Sequence, residues 1–139
     1  MQEFIKMAVD GLGVSESTAT SATGGVLGFV KEQAGGDLFG QLAAKIPGAA
    51  DLAGQASEAA EGASSGGGLG GMLGKAASMV GGSTTSAMGL VGVLTKSGLD
   101  VSKAGSFVSM FMGFVKQKAG ADLVGKIMAK VPEIAKVAG

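Results

Sequence analysis

The chain repeats itself. Residues 28–54 read GFVKEQAGGDLFGQLAAKIPGAADLAG and residues 113–139 read GFVKQKAGADLVGKIMAKVPEIAKVAG, identical at 15 of 27 positions at a gapless offset of 85. A fixed internal period restricts a chain to like supersecondary units, because similar sequences favour similar local structure. Upstream, Leu12, Val14 and Ser15 pair with Leu99, Val101 and Ser102 at an offset of 87, which places a two-residue change of register between the blocks. The expected organisation is helical unit 1 over residues 1–61, a Gly/Ser-rich connector with a short helix over 62–84, and helical unit 2 over 85–139.

Each unit reads as helices. In the second, Ser102 is placed to cap a helix carrying Phe107, Met110, Phe111, Phe114 and Val115 at the spacing of one face. Val108 and Met112 lie off that stripe, so this helix is apolar nearly all round and is expected to be central or shared with a partner. The pair Ala119 and Gly120 ends it, and Asp122 is expected to cap a short helix burying Leu123, Val124, Ile127, Met128 and Val131. Pro132 stops that helix and opens the next, where Ile134 and Val137 face inward. Unit 1 follows the same plan with Ser15, Gly35, Asp37 and Pro47, and each unit is preceded by a helix, over residues 2–10 and 86–97. Residues 15–25 are poor helix formers, yet their twin makes them helical. No segment alternates with period two over strand length, so the expected fold is all-α: two pseudo-repeated units joined by the Gly-rich segment.

Composition removes most chemistry. Cys, His, Trp, Tyr and Arg are all missing, so zinc sites of the usual kind, disulfides and Cys–His or Ser–His nucleophile pairs are out of reach. A phosphate loop fails at Gly74 and Lys75, where Ala76 stands in place of the metal-binding hydroxyl. Gly66, Gly68 and Gly71 meet a dinucleotide-type spacing only inside a glycine-dense run. The chain is expected to be no enzyme and to use no metal or other cofactor. Nucleic acid is disfavoured, since the charge sums to zero and no Lys cluster is interleaved with aromatics.

The neutral total hides a split. Residues 1–63 hold eight acids and three Lys, and residues 64–139 hold three acids and eight Lys, a net −5 against +5. Two units of opposite sign invite pairing within a chain or head-to-tail between chains. In the middle, Gly66, Gly70, Gly74, Ser78 and Gly82 recur every four residues, a smooth strip suited to close helix approach. Residues 76–95 carry no charge over the length of a membrane span, although Gly, Ser and Thr interrupt them.

The lGVS step, the GFVKEQAGGDLFGQLAAKIPG block and the Gly-rich GGGLGGMLGKAASMVGG middle resemble the bacterial VcgC/VcgE family of uncharacterised proteins, and more loosely the YidB-like proteins. That resemblance implies no activity and no catalytic residues. It implies export, and hence a periplasmic or extracellular place; the start Met1-Gln-Glu-Phe reads as lacking a signal peptide, which leaves a cytoplasmic one open. The function expected is that of a non-enzymatic structural or interaction protein that binds itself or another protein. Its candidate interaction residues are Phe107, Met110, Phe111, Phe114, Gly66, Gly70, Gly74, Lys116 and Lys118. Alternatives are a membrane-active or lipid-binding protein using the uncharged middle, and a carrier of a small apolar ligand between the units.

Overall fold

The computed structural model describes residues 1–55 and 85–138 of the chain, and those residues are all-helical. Seven of the helices are α1 (Gln2–Leu12), α2 (Glu16–Ala34), α3 (Gly36–Lys45), α5 (Thr85–Lys96), α6 (Val101–Ala119), α7 (Ala121–Lys130) and α8 (Pro132–Ala138). Between α3 and α5, helix α4 occupies described residues 49–55. Residues 62–84, where the Gly-rich connector and its short helix are expected, lie outside the described residues.

The bounds of two helix pairs recur at an offset of 85. Helices α2 and α6 are each 19 residues long, and α3 and α7 are each 10. Ser15 caps α2, its side chain accepting from the Thr18 amide at 3.2 Å. Asp100 caps α6, its Oδ1 accepting from the Ser102 amide at 3.0 Å and from the Ser102 hydroxyl at 2.8 Å. The capping role expected of Ser102 is therefore corrected. A carboxylate two residues earlier sits on extended backbone and reaches the Ser102 amide, leaving Ser102 inside the first turn. Ser15 and Asp100 are 85 apart, as are Gly13 and Gly98 in the turns before them, so the two-residue change of register expected here does not occur between the caps.

A second correction concerns Asp37 and Asp122. Helices α3 and α7 begin two residues earlier than an Asp cap requires, with Gly35 and Gly120 at the cap and no capping side chain. Both glycines adopt the same backbone (φ 91°, ψ 161° and φ 95°, ψ 157°), a region that side chains with a Cβ essentially do not visit. One such residue turns the chain out of a long helix and straight into the next, which leaves no room for a longer capping loop. Asp37 and Asp122 instead lie in the first turn, favourably placed at the positive end of the helix dipole. Pro132 is the first residue of α8, the position its fixed φ and missing amide suit.

The long helices α2 and α6 form the centre. Helix α6 buries Ala104, Phe107, Val108, Phe111, Met112, Phe114 and Val115, so its apolar residues are covered around most of its circumference. Its neighbours are α1, α3, α5, α7 and α8, while α2 meets α1, α3, α5 and α7. Contacts between the halves come in matched senses: α1 on α6 and α5 on α2, α3 on α6 and α7 on α2, with α3 against α7. The apolar stripe of α6 is thus satisfied inside the chain, and the two halves share one core.

Glycine sets how closely helices approach at two places. A Cβ on Gly25 of α2 would collide with Val93 Cγ1 of α5, and one on Gly105 of α6 would stand 3.0 Å from the Val137 carbonyl oxygen of α8. Beside the latter, the Ser109 hydroxyl donates to the Ala138 carbonyl at 2.6 Å. By contrast, Gly113 and Gly125 face open space on their helices. Urea unfolding should therefore separate the glycines by sign. Gly25→Ala should lose about 1–3 kcal/mol by overpacking against a stiff branched side chain. Gly113→Ala and Gly125→Ala should each gain roughly 0.5–1 kcal/mol from the better helix residue.

Candidate interaction site

The seam between the halves has two corners. At the first, Phe4 of α1 enters α6 and is fully buried. Its ring lies 5.3 Å from that of Phe107 at 74° and 5.5 Å from that of Phe111 at 78°, both edge-on, and 5.5 Å from that of Phe114 at 43°. Edge-on pairs of this kind contribute about 0.5–1.5 kcal/mol each beyond the area they bury. At the second corner the same positions, displaced by 85, are small: Gly89 stands for Phe4, Ala22 for Phe107 and Val26 for Phe111. There a Cβ on Gly89 would lie 3.5 Å from the Phe29 ring, so α5 rests directly on Phe29.

Bulk is exchanged between helices at the next position along. Gly25 on α2 receives Val93 of α5, whereas its counterpart Met110 on α6 reaches Gly11 of α1, its Cε 3.1 Å from where a Cβ would stand. One corner is large on both helices, the other is small, and each is filled.

An ion pair closes the first corner at the surface. Lys118 Nζ lies 2.8 Å from Glu3 Oε2 and 5.8 Å from the Phe114 ring centroid. The hydrogen bond from Lys118, and then its charge, hold the Glu3 carboxyl below its ordinary value of 4.5. The Asp100 carboxyl is held below its ordinary 3.8 by the Ser102 amide first and the Ser102 hydroxyl second. Beside the ion pair a surface cleft of about 280 Å³ opens between the halves, lined by Met1, Gln2, Glu3, Ile46, Pro47, Phe114 and Lys118. The alternative of a carrier holding a small apolar ligand between the units would have this cleft to use. Its ionisable side chains, Glu3 and Lys118, are paired with each other.

Of the candidate residues, Phe107, Phe111 and Phe114 are placed together in the core and touch Phe4. Met110 is half-buried at the edge of that cluster. Lys116 is exposed in the last turn of α6 beside Lys118. Gly66, Gly70 and Gly74 lie outside the described residues. Sequence reasoning missed Phe4, Gly25, Val93 and Glu3. Phe4 carried a signal, since Phe4, Ile5 and Ala8 form the buried face of α1. Gly25 and Val93 carried none, because their meeting depends on how α2 crosses α5.

Two measurements address this seam. Phe4→Ala should remove about 3–5 kcal/mol from the unfolding free energy, as for a large-to-small change at a filled core site. Lowered carboxyl values in the folded state mean that stability is fully present above the ordinary values and is lost as pH falls through the folded ones. Stability should therefore decline below about pH 4.5, and Glu3→Gln together with Asp100→Asn should flatten that decline in an acid-unfolding series.

Among the described residues, no helix is long and apolar enough to cross a membrane. No three acidic side chains gather there as a metal site. The chain belongs to the family described as protein of unknown function VcgC/VcgE (DUF2780), which matches residues 1–131. No curated protein and no solved structure gives a significant match.

Proposed function

We propose that this VcgC/VcgE-family chain is a non-enzymatic helical interaction protein, descended from the duplication of one four-helix unit, that works by association with its own copies or with another protein. The duplication is supported by the offset of 85, which relates sequence blocks, caps and the lengths of α2 with α6 and α3 with α7. The association reading is carried by one observation: the seam has the anatomy of a protein–protein interface. A buried aromatic anchor, Phe4, enters a pocket of Phe107, Phe111 and Phe114 under a salt-bridged rim, the arrangement that concentrates binding energy between separate chains. We place the protein in the bacterial envelope or outside the cell, a reading supported by the absence of Cys and of aromatic residues other than Phe.

Charge would steer such association. Lys118 is engaged by Glu3, so the cations free to attract an acidic unit of a neighbour begin with exposed Lys116, Lys126 and Lys130. Sedimentation over roughly 1 µM to 1 mM protein, at salt giving screening lengths of about 20 Å and about 4 Å, tests the reading. Mass should rise with concentration, more slowly at high salt. Reversal of Lys116, Lys126 and Lys130 to Glu should slow it at low salt. A strict monomer throughout that also captures no envelope or extracellular protein would overturn it.

A further inference from the structure

The seam selects unlike halves. Suppose two copies of residues 1–55 met through it: Phe4 would then take the place of Gly89, where a Cβ already stands 3.5 Å from the Phe29 ring, and be driven against Phe29, while Ala8 in place of Val93 would leave the space at Gly25 underfilled. Suppose instead two copies of residues 85–138 met: Gly89 would face the three Phe of α6, and Val93 would be driven against Met110 where only Gly25 now admits it. Net charge adds to the selection, since like halves carry like sign. Only the first half against the second fills both corners and pairs Glu3 with Lys118. A cavity or a clash at each wrong corner is how an interface rejects wrong partners.

Every contact of that seam joins residues far apart in the chain, and none requires the two halves to belong to the same molecule. Residues 56–84 connect them through 29 residues, a covalent length of up to about 100 Å when extended. We infer that the partner each half recognises in association is the opposite half of a second copy, with residues 1–55 of one chain seated on residues 85–138 of another through the same two corners. This rests on the association reading and names its interface. A reciprocal exchange closes a dimer with two complete seams; an exchange passed on from chain to chain gives a head-to-tail filament. The acidic and basic halves would then alternate along it.

The test uses the Gly25–Val93 corner. A Cβ on Gly25 lies 3.8 Å from Val93 Cβ, within the span of a disulfide, and the chain has no Cys of its own. The double variant Gly25→Cys with Val93→Cys, oxidised when dilute, should link within one chain and keep its helicity. Equal amounts of the two single variants, concentrated together and then oxidised, should give a mixed dimer whose 25–93 link is identified by peptide mass. Its yield should exceed by at least tenfold that of a control pair, Ser17→Cys with Ser106→Cys, on exposed helix faces. A double variant that links while the mixed single variants stay at the control level would overturn the proposal. A double variant that does not link would overturn it too, by removing the seam on which it stands. In unaltered protein, a concentrated mixture of isotope-labelled and unlabelled chains should show Phe4 of one chain close to Phe107 of the other; their absence in an associated sample counts against the proposal. Association seen by sedimentation without 25–93 links sinks the exchange and leaves association standing; a strict monomer sinks the exchange, and one that also captures no envelope or extracellular protein sinks both.

Discussion

The burial of Phe4 against α6 is the contact on which the rest depends, because α6 turns little more than the strip of Ser102, Ser106, Ser109, Gly113, Lys116 and Gln117 to water. With Phe107, Val108, Phe111, Met112, Phe114 and Val115 distributed around it, the helix requires apolar neighbours on several sides. Its own half supplies α5, α7 and α8, and the first half supplies α1 and α3. Units of 55 to 60 residues bury a smaller fraction of their surface than larger domains do and are marginal alone. Each half therefore completes the core of the other, and the chain behaves as one folded body because neither half has enough apolar partners by itself.

The halves share a plan and differ in volume. Where Phe4 meets aromatic rings in one corner, Gly89 meets Phe29 in the other, so α5 rests closely on α2. The exchange at Gly25 and Val93 against Met110 and Gly11 shows the same accommodation: bulk moves from one helix to its neighbour while the corner stays filled. Packing at interior density leaves little slack for any other arrangement. Such differences turn a pairing of like units into a pairing of unlike ones. They bear the specificity, while the single ion pair at the rim, between side chains open to solvent, adds direction more than strength.

Much of this was legible in the sequence, and the unread parts have a common cause. The helices, their order and the buried positions of α6 followed from periodicity, caps and the repeat, since these are local properties. The helical state of residues 16–25 was readable only through the better-patterned twin, because Ser, Thr and Gly give no local signal for it; in the structure the hydroxyls of Thr20 and Thr23 donate to carbonyls one turn back, at Glu16 and Ala19. The capping errors were errors of two residues: Asp100 and Ser102 both bear oxygen acceptors, and only backbone geometry decides between them. Gly35 and Gly120 took the places assigned to Asp caps because a single residue in a glycine-only conformation makes a shorter turn. The seam was the least legible feature. Phe4 and Phe107 stand more than a hundred residues apart, and nothing in a periodic pattern states which of two apolar faces will meet.

The glycines divide along the same line between what one chain needs and what it does not. Gly25 and Gly105 are required by neighbours that approach them within the molecule. Gly28 and Gly113, and likewise Gly40 and Gly125, occupy helices at positions 85 apart and meet nothing within 4 Å. A helical glycine costs about 1 kcal/mol relative to alanine, so four of them amount to a sizeable share of the stability of a domain this small. No contact among the described residues offsets that cost. The described surface is consequently less stable than the same helices could be, in both halves and at matching places. A protein shaped only by the stability of its monomer has no use for this, whereas one whose halves must separate and re-form a seam is served by a fold that is not held too tightly.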